Sequence, residues 1–349
     1  MTEQYKIFNG NSLDICKTID SNSVQLIITS PPYFNQRNYS DGNPNEIGIE
    51  ESPLSYVYNI KSLGVELFRI LKNDGSFFLN IDDKYASKNY HEINCKKDSM
   101  MMIPERISIE LMNIGFLLRE KIIWKKRNPL IESYSNRRQR CWEPFFVFTK
   151  SDDYYYNPNS IKDNLSIRTE KQLSMMDKEK YLKDGRLMVG NKSGDIDVMP
   201  EFKKRGIDPF SRCPICGSYN FRHVGIQSGK PHLILCKTKG SPKNIIETAV
   251  GHSHDIHFAQ FPPDLIIEPI LTSSREGNVV LDPFMGGGTT GVVALKNNRK
   301  FMGIDLVPEY CDISKKNLEN VIQYSENLFT ESNRPIDKES CRPWGNKKS

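Results

Sequence analysis

The stretch VVLDPFMGGGTTGVVAL, residues 279–295, restricts the fold more than any other part of the chain. An apolar β-branched run ends in an acid, three successive glycines follow, and helix-forming sequence then resumes. Gly286, Gly287 and Gly288 permit a tight turn and leave no Cβ to obstruct a ligand, at the strand end where open α/β sheets bind their ligands. A nucleotide-like cofactor is implied. The spacing is not G-x-G-x-x-G and no Lys follows as in a P-loop, which turns the reading away from dinucleotides and nucleoside triphosphates. Asp305 closes the next apolar run, 17 residues after Gly288 (305 minus 288), where a carboxylate can accept from both hydroxyls of a ribose. Taken alone, the same residues also describe a plain strand-to-helix turn with an exposed acid.

The rest of the chain supports an α/β architecture. VQLIIT (24–29), SFFLNID (76–82) and EPFFVFTK (143–150) read as strands, as do NVVLD (278–282) and KFMGID (300–305). Between the first two, Leu54, Val57, Ile60, Leu63, Leu67 and Ile70 recur at helical spacing behind a Ser52-Pro53 start signal. Strands alternating with helices predict a mainly parallel sheet. From Ser151 to about residue 255 the apolar pattern loosens into polar, Gly/Pro-punctuated sequence, which reads as an insertion or a set of long functional loops. Four segments follow: 1–150, an inserted region 151–255, a regular segment 256–329, and a polar tail 330–349.

The eight cysteines, at 16, 95, 141, 213, 216, 236, 311 and 341, are too scattered for a secreted disulfide framework. With no signal-peptide layout at the start and no apolar run near the ~18–20 residues of a membrane span, a cytoplasmic location is expected. The net charge of +5 is small, so any anionic partner must be sought in local patches.

One further stretch, TSPPY (Thr29–Tyr33), follows the apolar run VQLII with two prolines and an aromatic ring. TSPPY and DPFMGGGTT together resemble the catalytic and cofactor motifs of S-adenosylmethionine-dependent DNA amino-methyltransferases. Their order, catalytic motif first, is similar to the circularly permuted β class. HFAQFPPDLIIEPI, FMGIDLVPEYCDIS, LKNDGSFFLNIDD and WEPFFVFTK resemble the framework of that class, so the likeness covers roughly 1–150 and 255–325. Two departures stand out: Gly287 occupies a position where the family often has Ser, and the early Gly-Asp pair is here Gly10-Asn11.

The resemblance implies a Rossmann-like methyltransferase sheet, circularly permuted and assembled from both chain ends, with 151–255 as target-recognition region. It implies S-adenosylmethionine held by Thr29, Phe261, Asp282, Pro283, Phe284, Gly286, Gly288, Thr289, Thr290 and Asp305, and catalysis by Ser30, Pro31, Pro32 and Tyr33. In that mechanism Ser30 and the Pro31 carbonyl accept the two hydrogens of an exocyclic amino group while Tyr33 stacks on a base flipped from duplex DNA. The SPPY form is similar to the cytosine-N4 group, whereas Asp in place of Ser30 is usual in adenine-N6 enzymes; N6-adenine is the alternative. A cognate restriction endonuclease acting on the same site is a further implication of the family. An RNA methyltransferase and a non-catalytic DNA-binding protein on the same scaffold are the competing readings.

Two local patterns complete the expectations. Residues 119–140 hold eight basic residues against two acids, and Lys125, Lys126, Arg127, Arg137, Arg138 and Arg140, interleaved with Trp124 and Tyr134, suit phosphate contact and base stacking. In the insertion, Cys213-x-x-Cys216 with His232 and Cys236 forms a candidate structural zinc site. Nine basic residues against Asp208 alone over 202–243 fit a recognition module.

Overall fold

The computed structural model describes residues 4–40, 43–129, 136–158, 160, 182–183, 186–191, 194–197, 203, 224–227, 230–233, 244–248 and 262–332. Its strands are β1 (Tyr5–Asn9), β2 (Val24–Thr29), β3 (Leu71–Asn80), β4 (Leu117–Lys126), β5 (Trp142–Thr149), β6 (Leu182–Lys183), β7 (Arg186–Asn191), β8 (Gly194–Asp197), β9 (Val224–Gln227), β10 (Lys230–Leu233), β11 (Ile245–Thr248), β12 (Val279–Asp282) and β13 (Lys300–Asp305). The helices used below are α1 (Ser12–Thr18), α2 (Pro53–Ile70), α3 (Ile103–Ile114), α4 (Pro263–Ser273), α5 (Thr289–Lys296) and α6 (Pro308–Ser332).

Eight strands form one sheet in the order β1-β13-β12-β2-β3-β5-β4-β11. β5 runs antiparallel to both of its neighbours, and the other adjacent pairs are parallel. Both faces are covered. Ile27, Phe77, Leu79, Phe146 and Phe148 pack with α2 and α3 on one side, while Leu26, Ile28, Phe78, Phe145 and Val147 pack with α4, α5 and α6 on the other. Burial on both faces is why these strands read as continuous apolar runs rather than alternating ones. The sheet is the mainly parallel α/β type that the sequence predicts. β12 and β13, from late in the chain, lie between β1 and β2, from its beginning.

Local chemistry sets the element boundaries. Ser52 accepts a hydrogen bond from the Ser55 amide at 3.1 Å, and Pro53 opens α2 where a missing N–H costs nothing. The strand expected over 76–82 instead runs from Leu71 to Asn80, entered directly from α2. It stops there because the next residues serve α3: the Asp83 carboxylate accepts from the amides of Met102 and Ile103 at 3.0 and 3.1 Å, replacing the cap that Met102 cannot provide. Trp124 corrects an expectation. It lies on β4 with 4% of its surface exposed, and its indole N–H donates to Thr248 Oγ1 at 2.8 Å, so its ring belongs to the core and not to a base-stacking surface. Among the described residues, no helix is long and apolar enough to cross a membrane.

Candidate active site

β2 and β12 pair in parallel through Leu26 with Val280 and Ile27 with Leu281, so the turns leaving their carboxyl ends emerge side by side. A shared carboxylate joins them. Asp282 accepts from Thr29 Oγ1 at 2.7 Å, from Thr290 Oγ1 at 2.7 Å and from the Phe284 amide at 3.1 Å. With 1% exposure, its carboxyl is pushed up to about 6 by burial, against the three hydrogen bonds that hold it down. Thr29, Asp282 and Thr290 therefore knit the two turns together. The carbonyl of Pro283 is fixed in turn by Ser12 Oγ at 2.6 Å.

The glycine loop rises from this clamp. Gly286 and Gly288 both adopt left-handed backbone angles, φ 50° and 81°. A Cβ on Gly288 would sit 2.3 Å from Ser314 Oγ and 3.2 Å from the Ser314 Cα, so the loop presses directly onto α6. Thr289 then opens α5. Asp305, at the end of β13, accepts from the Gly286 amide on Oδ2 and from the Val307 amide on Oδ1, each at 2.9 Å. Burial raises its carboxyl, and these amides work against that rise. Two ionised oxygens offer about four acceptor sites, more than the neighbouring amides fill, which leaves the carboxylate able to accept from a hydroxyl. The Gly10 amide donates to the Asp305 carbonyl at 2.9 Å, which places the Gly10-Asn11 turn beside the same site. Phe261 lies outside the described residues.

After Thr29 the chain turns through Ser30, Pro31, Pro32 and Tyr33. Tyr56, from α2, donates its hydroxyl to the Pro32 carbonyl at 2.8 Å and fixes the turn from below. A polar cluster faces it from β3 and β5. Ser30 Oγ lies 3.2 Å from the Tyr33 hydroxyl and 3.3 Å from Asn80 Oδ1. The Tyr33 hydroxyl in turn lies 2.9 Å from Glu143 Oε2 and 3.0 Å from Asn80 Oδ1. Asn80 Nδ2 donates to Glu143 Oε2 and to the Pro144 carbonyl at 3.2 and 3.1 Å, which fixes the orientation of its amide. Lys126 pairs with the other Glu143 oxygen. Burial above all, then the Glu143 carboxylate, pushes the Tyr33 hydroxyl well above its ordinary value. Asp82 is raised to about 6 by burial and by Glu143, with Arg140 opposing.

Sequence reasoning missed Asn80, Asp82 and Glu143. The available signals were a polar residue closing the run SFFLN and an acid opening EPFFVF, both at the ends of strands buried on two faces.

The basic residues divide into two groups. Lys126 and Arg140 turn into the site, where Arg140 grips the Asp82 carboxylate at 3.0 and 3.2 Å. Lys125 pairs with Glu247 at 3.4 Å, and the Arg137 guanidinium lies 3.8 Å over the Tyr85 ring. Arg127 and Arg138 are exposed. Tyr134 and the side chains of Cys213, Cys216, His232 and Cys236 lie outside the described residues. Among those described, no group of His, Cys, Asp or Glu could hold a metal ion.

Known proteins resemble this chain in sequence and in fold. A family model described as DNA methylase matches residues 24–316. The Type II methyltransferase M.Cfr9I of Citrobacter freundii is 30% identical over 332 residues, covering 90% of this chain and 87% of that one. M.SmaI of Serratia marcescens is 28% identical and covers 90% of each chain. Among solved structures, the fold resembles PvuII DNA methyltransferase (cytosine-N4-specific), with a TM-score of 0.58 and 17% identity over 95% of this chain and 94% of that one. It also resembles TTHA0409 of Thermus thermophilus, solved with S-adenosyl-L-methionine, with a TM-score of 0.53 and 19% identity over 91% and 94%.

Proposed function

The chain belongs to the DNA methylases, the S-adenosylmethionine-dependent enzymes that methylate exocyclic amino groups of bases, and from that premise we propose that it methylates N4 of cytosine in duplex DNA as the modification enzyme of a restriction-modification system. One observation carries the reading: the Ser30–Tyr33 turn sits at the end of β2, tied through Thr29 and Asp282 to the glycine loop at 2.7 Å. A base acceptor and a cofactor cradle are thereby held against each other.

The roles follow from the chemistry of the target. An exocyclic amino nitrogen delocalises its lone pair into the ring and lies inside a stacked duplex, so the base must first be extruded. Ser30 Oγ and the Pro31 carbonyl accept its two hydrogens and draw the nitrogen toward a pyramidal geometry. The fixed φ of Pro31 keeps that carbonyl preorganised, and Tyr33 offers its ring to the flipped base. S-adenosylmethionine, when bound, supplies a methyl group on a sulfonium. The loop at Gly286–Gly288 and the Asp305 carboxylate, with its remaining lone pairs, suit such a nucleoside. Arg127 and Arg138, exposed beyond β4 and ahead of β5, suit the phosphates of the duplex. A hydroxyl at position 30, where adenine-N6 enzymes usually carry a carboxylate, favours cytosine.

The test is expression in a methylation-deficient bacterial host, followed by digestion of the host DNA to nucleosides and mass spectrometry. N4-methylcytosine is the expected product. N6-methyladenine would overturn the base assignment, and unmodified DNA from cells containing folded, cofactor-binding protein would overturn the reading itself.

A further inference from the structure

We propose that Glu143 is the terminal proton acceptor of the methyl transfer, reached from the target nitrogen through the hydroxyls of Ser30 and Tyr33. This rests on the amino-methyltransferase reading above. When the amino nitrogen bonds to the methyl carbon, the carbon–sulfur bond breaks and its electron pair stays on sulfur, leaving a thioether. The nitrogen then carries one proton too many. Ser30 Oγ, already accepting an amino hydrogen, takes that proton as its own passes to the Tyr33 hydroxyl oxygen. The Tyr33 proton passes in turn to Glu143 Oε2. One proton enters the chain, one arrives on a carboxylate, and both hydroxyls end as they began.

The geometry matches each transfer. Ser30 Oγ donates toward the Tyr33 hydroxyl at 3.2 Å, and that hydroxyl donates to Glu143 Oε2 at 2.9 Å. Asn80 Oδ1 also lies within reach of both hydroxyls, at 3.3 and 3.0 Å, but an amide oxygen cannot keep a proton at neutral pH, so Asn80 guides the chain without ending it. Its Nδ2 aims at Glu143 Oε2 at 3.2 Å and holds the acceptor in line. Burial and the neighbouring carboxylate oppose a Tyr33 phenolate, so the two hydroxyl protons move together. The Glu143 side chain is only 6% exposed, which keeps bulk water from competing for the proton. The charged groups around it are Lys126 from β4, Asp82 beyond the end of β3, and Arg140 ahead of β5, the last of which pairs with Asp82.

Single-turnover methylation of duplex DNA by the full-length wild type, Glu143→Gln, Tyr33→Phe and the double variant tests the relay. Each single substitution should slow the chemical step by about 100-fold, with dissociation constants for cofactor and DNA kept within about twofold. The double variant should be no slower than the slower single one, because both changes break one chain. Tyr33→Phe keeps the ring and removes only the hydroxyl, so it decides the matter alone if Glu143→Gln does not fold. A wild-type rate in either folded variant, losses that multiply in the double, or a loss confined to binding would each refute the relay. An inactive wild-type protein would instead bring down the proposed function, so the two failures are distinguishable.

Discussion

Replacing Asp282 by Asn should stabilise the protein, and by an amount that depends on pH. Burial lifts this carboxyl from 3.8 to about 6, a difference of about 2.2 (6 minus 3.8). At about 1.4 kcal/mol for each pH unit, the ionised group withholds roughly 3 kcal/mol of stability near neutrality. The folded chain binds this proton more tightly than the unfolded one, so the deficit is full above about pH 6 and fades as pH falls toward about 4. Asn keeps an oxygen for Thr29 and for the Phe284 amide, and its own amide faces Thr290, whose hydroxyl can turn to accept. Urea unfolding of wild type and Asp282→Asn, monitored by circular dichroism, should show the variant ahead by about 3 kcal/mol at about pH 8 and by about half that at about pH 5. A variant less stable at both values, or a gain that ignores pH, would refute the argument and mean that the three hydrogen bonds to the ionised carboxylate outweigh its burial.

Gly288→Ala should lose about 2–4 kcal/mol of stability, since a left-handed φ of 81° and contact with the Ser314 backbone add strain to overpacking; calorimetry should also show weakened S-adenosylmethionine binding. Arg127→Ala and Arg138→Ala should weaken DNA binding and each reduce the slope of log K against log salt by about one, if each meets one phosphate; binding titrations at several salt concentrations read this directly. Arg140→Ala strands the Asp82 carboxylate, and because the arginine side chain is 30% exposed the cost should be about 3 kcal/mol, the low end for a broken buried pair. That loss should be greater at about pH 8 than at about pH 5, since Asp82 then titrates from an even higher value, and unfolding at the two values checks it.

Much of this architecture was legible in the sequence because local rules and tertiary demands coincide. β2 and β13 run over the expected residues, and α2 begins at Pro53 behind its Ser52 cap and ends at Ile70, the last of the helically spaced apolar residues, because apolar spacing and a Ser-Pro start fix both face and beginning. The glycine loop is recognisable because positive φ restricts residue choice to almost one type. What escaped is what pairing creates. Glu143 meets Asn80, Lys126 and Tyr33 only because β5 runs antiparallel between β3 and β4, a register that no residue in those strands announces. Trp124 misled for the same reason. Its basic neighbours suggest an open surface, yet β11 pairs beside it, Thr248 of that strand takes the indole N–H, and the ring joins the core.

The hydrogen bond between Thr29 and Asp282 spans 253 positions of the chain, and this has a consequence during synthesis. A ribosome adding roughly 5–20 residues per second needs about 13–50 s to travel from one partner to the other. For that interval β2, buried along its whole length in the finished protein, lacks the neighbour that covers one of its edges. β3 can cover only the opposite edge, so the open one must be shielded by transient contacts or by a chaperone until β12 emerges and inserts. A nascent chain therefore carries the residues that would accept the base long before it can hold a methyl donor beside them, and activity appears only when the sheet is completed.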